Sequence, residues 1–366
     1  MDAGTDNREL LDRLFAEDLI DARRGRLLDE QPPPMPPGFD WDRVDGMLLG
    51  LAIGDALGNT TESMLPAKRQ ELYGEIRDFV PHHRYGTLGS PSDDTQMAFW
   101  TLDELLRDGR LDPERLGRRF EDEQIFGGGK AVRQALARVG SGHTPWYECG
   151  TASAGNGALM RIAPVLVPYV HSPSPELWAD TALCAIVTHN DAASTSACLA
   201  FVAMLWDLLG AEEPPDPAWW GRRYVELAAD IEGETGYRPR VRRFEDWSGP
   251  LWLFVKERLA DAWSRDLSVR EACDEWYSGA YLPETVPGVL YILTRHGADP
   301  EEAIVRAVSD TKDNDTIAAI VGAAAGALHG AAALPERWVR GLPGRTRADD
   351  DGEVQRLLAA ARERWG

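Results

Sequence analysis

The chain has 366 residues, of which 43% are hydrophobic and 27% are charged, and it carries a formal charge of -21 at pH 7. This size and composition are typical of a globular protein with one large or two ordinary domains. The negative charge argues against extended nucleic-acid binding, which needs clustered Lys and Arg, whereas helix N-termini can still hold a small anionic ligand.

Cysteine usage and the N-terminal sequence bear on the compartment. The four cysteines form no Cys-x-x-Cys pair, so we expect neither a disulfide framework nor a zinc site. The opening sequence MDAGTDN lacks the basic and apolar regions of a signal peptide. We therefore expect a cytoplasmic protein, and we expect it to be a monomer.

The N-terminal part of the chain has its own pattern. Residues 8–29 carry apolar side chains at helical spacing, which predicts an amphipathic helical segment of about five turns. The proline-rich stretch 31–38 ends this segment and favours a stiff, extended linker. The predicted organisation is an N-terminal extension over residues 1–40, a main domain over 41–340, and a C-terminal loop and short helix over 341–366.

The main domain shows helical periodicity throughout, and period-two alternation is scarce. Helices are predicted over 44–57, 95–107, 131–138, 177–187, 192–209, 221–232, 251–263, 301–309 and 316–331. The predicted fold class is therefore all-α. The Ala/Gly-rich run Ile317–Leu334 is slightly short and weakly apolar for a membrane span, so it is predicted to be a buried core helix and no membrane contact is expected.

Glycines recur every four residues in two of these helices, at Gly46, Gly50, Gly54 and Gly58 and again at Gly322, Gly326 and Gly330. This spacing leaves a stripe without side chains, along which another helix can approach closely. Because Gly inside a helix costs about 1 kcal/mol relative to Ala, two such stripes indicate a packing requirement. We predict that the two helices contact each other or share a neighbour.

Two acidic clusters, Ser92-Asp93-Asp94 and Asp313-Asn314-Asp315-Thr316, each lie where a loop ends and an apolar helix begins. Singly, each is better explained as a helix N-cap, because Ser, Thr, Asp and Asn are preferred there. Together, their carboxylates and hydroxyls form an all-oxygen ligand set that suits hard cations such as Mg²⁺ or Mn²⁺. The clusters are far apart in the chain, so only the fold can unite them, and their carboxylates then repel unless cations neutralise them.

A third candidate segment is Gly54-Asp55-Ala56-Leu57-Gly58-Asn59-Thr60-Thr61-Glu62. Asp55 lies within an apolar helical run, where a carboxylate needs partners. It is predicted either to cap a neighbouring element or to support a metal site. Glu62 follows in the loop, where it is either an ordinary surface carboxylate or a side chain that reaches into a cleft.

Three further features could contact a ligand. Gly155-Asn156-Gly157 forms a loop with few side chains, whose N–H groups can approach a diphosphate, although a plain turn is the alternative. Its sequence is not G-x-G-x-x-G and no clear strand precedes it, so a dinucleotide-binding loop is not predicted. His189 follows an apolar run and, from the residues alone, is more simply a hydrogen-bonded core residue. Tyr281 has an aromatic face that can stack on a base, with ordinary packing as the alternative.

Six segments of residues 41–340 resemble, in the same order, the motifs of the ADP-ribosylglycohydrolase family. They are G-D-A-L-G-x-x-x-E (54–62), S-D-D-T-Q-M (92–97), G-N-G-A-L-M-R (155–161), T-H-N (188–190), G-x-Y-x-x-x-T-x-P (279–287) and D-N-D-T-I-A-A-I-x-G-A-x-x-G-A-x-x-G (313–330). The family includes the dinitrogenase reductase-activating glycohydrolase and the ADP-ribosyl-arginine and ADP-ribosyl-serine hydrolases. The resemblance implies a compact, orthogonal all-α bundle with a central cleft that holds two Mg²⁺ ions, or Mn²⁺ in their place.

The same resemblance implies roles for particular residues. The implied metal ligands are Ser92, Asp93, Asp94, Asp313, Asp315 and Thr316. The catalytic candidates are Glu62, Asp93, Asp94, Asp313 and Asp315, and the substrate-binding candidates are Gly155, Asn156, Gly157, His189 and Tyr281. Two positions depart from the family pattern. Asn314 replaces a usual Thr that is not an expected ligand, and Lys312 replaces a small residue at what would be the rim of the cleft.

The implied activity is hydrolysis of the glycosidic bond between ADP-ribose and an acceptor, on an ADP-ribosylated protein or a small-molecule conjugate. The S-D-D-T-Q-M segment is closer to the arginine branch, so an N-linked arginine is the predicted acceptor. Serine-linked ADP-ribose, O-acetyl-ADP-ribose and nucleobase-linked ADP-ribose are the alternatives. A non-catalytic, crystallin-like ADP-ribose binder and an ordinary metal-binding helical protein are further alternatives, and the intact set of acidic residues argues against the crystallin-like one.

Overall fold

Helices make up the regular secondary structure of residues 6–81 and 87–366, the part of the chain that the computed structural model describes. In chain order, helices α1 to α16 span Asn7–Ala16, Asp42–Asn59, Pro66–Tyr73, Asp93–Asp108, Pro113–Asp122, Lys130–Ser141, Glu176–Ile186, Ala192–Leu209, Pro217–Glu232, Leu251–Ser264, Val269–Trp276, Leu282–His296, Pro300–Asp310, Asn314–His329, Glu336–Gly341 and Glu353–Trp365. Backbone β pairing in this part is limited to two isolated bridges, Gly155–Tyr281 and Tyr237–Gly249. The all-α prediction is confirmed.

Helices α2 and α14 pack directly against each other at the centre of the fold. A Cβ atom added to Gly50 would lie 2.1 Å from the carbonyl oxygen of Gly322, and one added to Gly54 would lie 2.0 Å from that of Ala318. These distances are far inside van der Waals contact, so the two backbones can touch only because the glycine positions carry no side chain. The predicted contact between the two glycine stripes is confirmed.

This helix pair also determines where the acidic loops lie. At the other end of the stripe, a Cβ atom on Gly58 would lie 2.4 Å from the Cα atom of Asp315. Helix α4 packs beside both α2 and α14. The N-termini of α4 and α14, which carry the two acidic clusters, therefore lie next to the C-terminal end of α2.

The core helices are buried on nearly all sides. Residues of α14 from Asn314 to Leu328 are buried, which confirms the core-helix prediction for most of the run Ile317–Leu334. The helix ends at His329, and Ala332 and Ala333 are exposed, so the prediction extends too far at its C-terminal end. Among the described residues, Ala192–Leu209 is the helix long and apolar enough to cross a membrane, and 94% of it is buried inside the protein.

The N-terminal prediction of one amphipathic segment of about five turns is wrong in its extent. Helix α1 ends at Ala16, and Asp18 has a φ of 56°, a left-handed conformation that closes the helix. The N–H of Leu19 then bonds to the carbonyl of Leu14 at 2.8 Å, which satisfies a helix-end acceptor. The following residues are irregular up to a short 3-10 helix, Arg26–Asp29, and Leu10, Leu14 and Leu28 are buried in the common core.

Helix α12 and four shorter helices, α3, α5, α11 and α15, are not predicted from the sequence. Pro283 and Pro287 look like helix breakers, but Pro283 lies in the first turn of α12, where no N–H partner is required. Pro287 lies inside the helix and removes one main-chain hydrogen bond. The buried run from Leu282 to Leu293 stabilises α12 in spite of that loss. The nine helices predicted in the main domain and the terminal helix are all present.

Candidate active site

The two acidic clusters adjoin each other, although they use their capping groups differently. Ser92 is the N-cap of α4, and its Oγ accepts a hydrogen bond from the N–H of Asp94. Asp313 occupies the corresponding position before α14, but its carboxylate instead accepts a hydrogen bond from Nδ2 of Asn156 at 2.6 Å. The capping interpretation therefore applies to the first cluster, and the second cluster presents its carboxylate towards another loop.

Asp55 connects α2 to the first cluster. Its carboxylate accepts hydrogen bonds from the N–H groups of Ser92 and Thr95 at 3.0 Å, and from the hydroxyl of Thr95. Asp55 thus caps α4 from a neighbouring helix, one of the two predicted roles. Its carboxylate also lies beside those of Asp94 and Asp315, with one oxygen atom from each within 4.8 Å of the others.

A second group of carboxylates shares Asp315 with the first. Oxygen atoms of Glu62, Asp313 and Asp315 lie within 4.8 Å of one another. The hydroxyls of Ser92 and Thr316 both donate to Oδ2 of Asp94, at 2.9 and 3.3 Å. Five of the six predicted ligands are therefore in or beside these two groups.

Asp93 is the sixth predicted ligand and belongs to neither group, but it lines the same cleft and is close enough for their charges to raise its pKa. A Cβ atom on Gly127 would lie 3.3 Å from its Oδ1 atom. Its position opposite a glycine loop leaves the carboxylate facing the cleft. Its role as a ligand remains a prediction.

The electrostatics of the two groups are unfavourable for a protein without bound cations. Burial, with neighbouring carboxylates adding to it, raises the pKa of Asp94 and of Asp315 well above the usual range. Burial also raises the pKa of Asp93 to about 7 and that of Asp313 to about 6. The Oδ1 atom of Asp94 is buried without a hydrogen-bond partner among the described residues. Buried, mutually repelling oxygen atoms of this kind fit a hard divalent cation.

The two departures from the motif pattern lie in different environments. The amide of Asn314 donates to the carbonyls of Gly58 and Val308 and to the hydroxyl of Thr61, so this side chain is used for packing rather than for the cleft. The ammonium group of Lys312 donates to the carbonyl of Ser63 at 3.2 Å, on the exposed side of the Glu62 loop. Its positive charge lowers the pKa of Asp313, against the larger effect of burial.

Arg69 joins the two loops that carry Glu62 and Asp313. Its side chain is fully buried and donates to the hydroxyl and carbonyl of Thr61, to the carbonyl of Met64, and to those of Ser309 and Thr311. Because all these acceptors are neutral, the guanidinium holds backbone positions without neutralising the acidic groups. Sequence reasoning did not identify this residue, since nothing in its local pattern marks it.

The predicted site residues converge on a single cleft of about 290 Å³. Its lining includes Glu62, Asp93, Asp94, Asp313, Asp315 and Thr316 from the acidic set and Gly155, Asn156, Gly157, His189 and Tyr281 from the substrate-binding set. Ser92 lies behind this surface, bonded to Asp94. The fold thus brings together residues that the sequence places in six separate segments.

The Gly155–Gly157 loop is held against both neighbouring segments. The N–H of Asn156 donates to the carbonyl of Ala280, next to the Gly155–Tyr281 bridge. On the other side, a Cβ atom on Gly157 would lie 2.9 Å from Cε1 of His189. Glycine is therefore needed here for close approach to the imidazole ring, which the plain-turn alternative does not explain.

His189 is buried, with 1% of its surface exposed, and its Nδ1 atom lies 2.9 Å from the hydroxyl of Thr188. Burial, together with the nearby positive charge of Arg161, lowers its pKa to about 3. The ring is therefore neutral at physiological pH. A neutral imidazole lining an acidic cleft is suited to hydrogen bonding with a ligand and unsuited to holding a permanent charge.

The cleft has further lining residues that sequence reasoning missed. Gly127, Gly129 and Lys130 bring the N-terminal turn of α6 to the cleft. A helix N-terminus next to a lysine attracts anions such as phosphate. The run Gly127-Gly128-Gly129-Lys130 before a predicted helix was a usable indication of this feature.

Arg240 forms the other basic wall. Its guanidinium donates to both carboxylate oxygens of Glu284, at 2.8 and 2.6 Å, and lies 5.0 Å from the centroid of the Tyr281 ring. The ion pair fixes an arginine beside the aromatic face that was predicted to stack on a base. Arg240 lies in an irregular segment between α9 and α10, where no local motif identifies it.

The raised pKa values predict how stability depends on pH in the absence of cations. The folded-state pKa of Asp93 is about 7 against a model value of 3.8, so folded protein retains a proton that unfolded chain has released. In excess chelator, the free energy of unfolding should therefore fall as pH rises from about 4 to about 7. Saturating Mg²⁺ should reduce this dependence, because it favours the ionised carboxylates.

Urea denaturation at pH values on either side of that window, with chelator and with Mg²⁺, measures the effect. The isosteric change Asp93→Asn should flatten the pH dependence in chelator. Equal stability of chelated wild-type protein across the window would contradict the electrostatic interpretation.

Comparison with known proteins adds an independent line of information. A family model described as ADP-ribosylglycohydrolase matches residues 35–366. The ADP-ribosylarginine hydrolase Tri1 of Pseudomonas putida is 28% identical over 87% of this chain and 79% of its own length. The ADP-ribosyl-[dinitrogen reductase] glycohydrolase of Rhodospirillum rubrum is 26% identical over 87% of this chain and 97% of its own. A solved structure titled ADP-ribosylglycohydrolase-related protein complex has a TM-score of 0.65 at 27% identity, covering 88% of this chain and 97% of that one.

Proposed function

The chain belongs to the ADP-ribosylglycohydrolase family, and from this premise we propose that it cleaves the N-glycosidic bond between ADP-ribose and an arginine side chain of a modified protein. The observation that carries the proposal is the convergence of both acidic clusters and the Gly155–Gly157 loop on one cleft of about 290 Å³. An acidic end and a basic end of the same cleft suit a ligand with hydroxyl groups at one end and a diphosphate at the other.

The carboxylate groups would hold two divalent cations, Mg²⁺ or Mn²⁺. Asp94 and Asp315 fit one group, and Glu62, Asp313 and Asp315 fit the other, with Ser92 and Thr316 supplying hydroxyls. The buried Oδ1 atom of Asp94 supports this assignment, because no donor among residues 6–81 and 87–366 competes for it. When bound, such cations hold ribose hydroxyls and lower the pKa of a water molecule.

Hydrolysis adds the water oxygen to the anomeric carbon and breaks the bond to the guanidino nitrogen. One proton passes from the water to a carboxylate, and one passes from an acid to the departing nitrogen. Asp93 lines the cleft and would be one of the carboxylates that give or take these protons. Glu62, at the exposed rim, is the other carboxylate placed to meet the acceptor.

The opposite wall would bind the ADP part of the substrate. The N-terminal turn of α6 and the backbone of the Gly155–Gly157 loop would contact the diphosphate. Tyr281, beside the guanidinium of Arg240, would stack on the adenine.

Two observations favour arginine as the acceptor. The carboxylates of Glu62 and Asp93 at the cleft complement a positively charged guanidinium better than a neutral serine. The relative from Pseudomonas putida is named an ADP-ribosylarginine hydrolase. Serine-linked ADP-ribose, O-acetyl-ADP-ribose and a nucleobase conjugate are the competing substrates.

A hydrolysis panel tests the proposal directly. Arginine-, serine-, acetyl- and nucleobase-linked ADP-ribose are incubated with the protein in Mg²⁺, in Mn²⁺ and in excess chelator, and released ADP-ribose is measured. We expect the arginine conjugate to be cleaved fastest and chelator to stop the reaction. Full activity in chelator would contradict the metal assignment. Faster cleavage of another conjugate would contradict arginine as the acceptor and identify the group on that conjugate instead. Binding of ADP-ribose without any cleavage would indicate a non-catalytic, crystallin-like binder.

A further inference from the structure

A buried arginine without an acidic partner lies behind the cleft. Arg161 ends the short 3-10 helix Leu159–Arg161, directly after the Gly155–Gly157 loop, and its side chain is fully buried. Its guanidinium donates to the carbonyl of Cys184 at 3.0 Å and to the hydroxyl of Thr188 at 2.8 Å, and it pairs with no carboxylate of the described residues. A guanidinium kept in the core with neutral acceptors is costly, which indicates a specific use.

The hydroxyl of Thr188 relates this arginine to His189. Thr188 is fully buried, and its Oγ1 atom contacts the Arg161 guanidinium on one side and Nδ1 of His189, at 2.9 Å, on the other. A guanidinium only donates hydrogen bonds, so Thr188 accepts from Arg161. The hydroxyl proton then has one acceptor within reach among the described residues, the Nδ1 atom of His189.

The direction of this second hydrogen bond decides the tautomer of the imidazole. If Nδ1 carried the proton, the Thr188 hydroxyl proton would be buried without an acceptor, at a cost of about 1–3 kcal/mol. With Nδ1 as acceptor, the proton of the neutral ring lies on Nε2. The depressed pKa of His189 is in agreement, because a charged ring would need protons on both nitrogens.

The Nε2 edge of the ring faces the Gly155–Gly157 loop at the cleft. A Cβ atom on Gly155 would lie 3.2 Å from Nε2, and no described residue accepts a hydrogen bond from this nitrogen. Both glycines and His189 line the cleft. The side of the ring that carries the proton is thus the side next to the bound ligand.

We infer that Arg161 and Thr188 are positioning residues, which hold His189 as an Nε2–H donor directed at an oxygen atom of the ligand. The ligand class is one that offers an acceptor oxygen, and on the proposed function this is a ribose or diphosphate oxygen of ADP-ribose. In this relay, Arg161 donates a hydrogen bond to the Thr188 hydroxyl, and the hydroxyl donates one to Nδ1 of His189. The ring proton is therefore on Nε2, where it can be donated to a ligand.

The tautomer is measured on the free protein, so the result does not depend on hydrolysis. Two-bond ¹H–¹⁵N correlation spectra of ¹⁵N-labelled protein distinguish a protonated from an unprotonated ring nitrogen, and loss of one ring system in His189→Asn identifies the signal. We expect an unprotonated Nδ1 and a protonated Nε2. A protonated Nδ1 in the wild-type protein would overturn the inference, whatever the substrate proves to be.

Variants at Thr188 test the positioning role. Thr188→Val removes the hydroxyl, and we expect loss of the single tautomer and a Kd for ADP-ribose about three- to tenfold higher, the range of one hydrogen bond. Thr188→Ser retains the hydroxyl and should restore both. The matched control is Thr181→Val, which removes a buried hydroxyl bonded to the carbonyl of Leu177, about two helical turns before Thr188.

Each result bears on a separate statement. A Thr188→Val protein with wild-type tautomer and affinity would contradict the relay. If Thr181→Val changed the tautomer and the Kd for ADP-ribose as much as Thr188→Val does, the effect of Thr188→Val would be general destabilisation of the core and the relay would be contradicted. Wild-type protein that binds no ADP-ribose would contradict the proposed function, while the spectra would still decide the tautomer.

Discussion

Asp315→Ala is expected to reduce hydrolysis of ADP-ribosyl-arginine by about a thousandfold or more, which corresponds to roughly 4 kcal/mol of transition-state stabilisation. Asp315 is chosen because its carboxylate belongs to both acidic groups, with Asp55 and Asp94 on one side and Glu62 and Asp313 on the other. Its removal therefore weakens both cation positions at once, which no other single substitution does.

The same substitution should leave the protein folded. Burial and neighbouring carboxylates raise the pKa of Asp315, so its charge costs stability in chelator, and the metal-free variant should unfold at the same or a higher temperature than wild type. Wild-type protein should be stabilised by Mg²⁺, and the variant should not.

Asp310→Ala is the matched control. Asp310 is the last residue of α13, pairs with Arg306 at 3.1 Å, and does not line the cleft. The Asp310→Ala variant should retain both the hydrolytic activity and the stabilisation by Mg²⁺. An Asp315→Ala variant that hydrolyses at the wild-type rate, measured by ADP-ribose release, would refute the assignment of the acidic groups.

Gly322→Ala is expected to destabilise the protein by about 3 kcal/mol or more, or to prevent folding. The new Cβ atom would lie 2.1 Å from the carbonyl oxygen of Gly50, which is part of the backbone and cannot rotate away. Alanine would favour the helix itself by about 1 kcal/mol, so a local propensity scale predicts the opposite sign. Separation of the two helices outweighs that gain.

Gly117→Ala separates the two effects. Gly117 lies inside α5, and its Cβ atom would meet Val187 Cγ1 at 3.4 Å, an ordinary contact. This variant should be neutral or more stable than wild type by up to about 1 kcal/mol. Urea denaturation of both variants measures the difference. Equal effects of the two substitutions would show that backbone contact at Gly322 does not limit the packing.

One helix contact could be predicted because glycines recur at regular intervals in the sequence. The periods of Gly46–Gly58 and Gly322–Gly330 indicated a helix contact that the structure contains. The end of α1 could not be predicted in this way, because apolar residues continue at Leu19 and Ile20 beyond the left-handed Asp18. Helix α12 was not predicted, and its two prolines are a local signal against a helix, whereas tertiary burial decides its conformation.

The candidate site was predictable where one segment carries the chemistry. Acidic residues at helix starts and the Gly155–Gly157 loop could be recognised, and the structure brings them to the same cleft. Arg240 and Arg69 could not be recognised, because their contacts with Glu284 and Ser309 form only in the completed fold and no motif contains them. Arg161 lies in the recognised motif 155–161, but its contact with Thr188 could not be predicted from that motif.

The hydrogen bonds that close the site also bear on the order of folding. Asn314 donates to the carbonyl of Gly58 across 256 positions, and Arg69 donates to that of Ser309 across 240. Contacts of such sequence separation form slowly, because the chain entropy between their ends is lost before they contribute. During synthesis, α2 and its glycine stripe leave the ribosome long before α14 exists. The core-facing surface of α2 therefore stays unpaired until α14 has been synthesised. During this interval the exposed apolar surface favours aggregation.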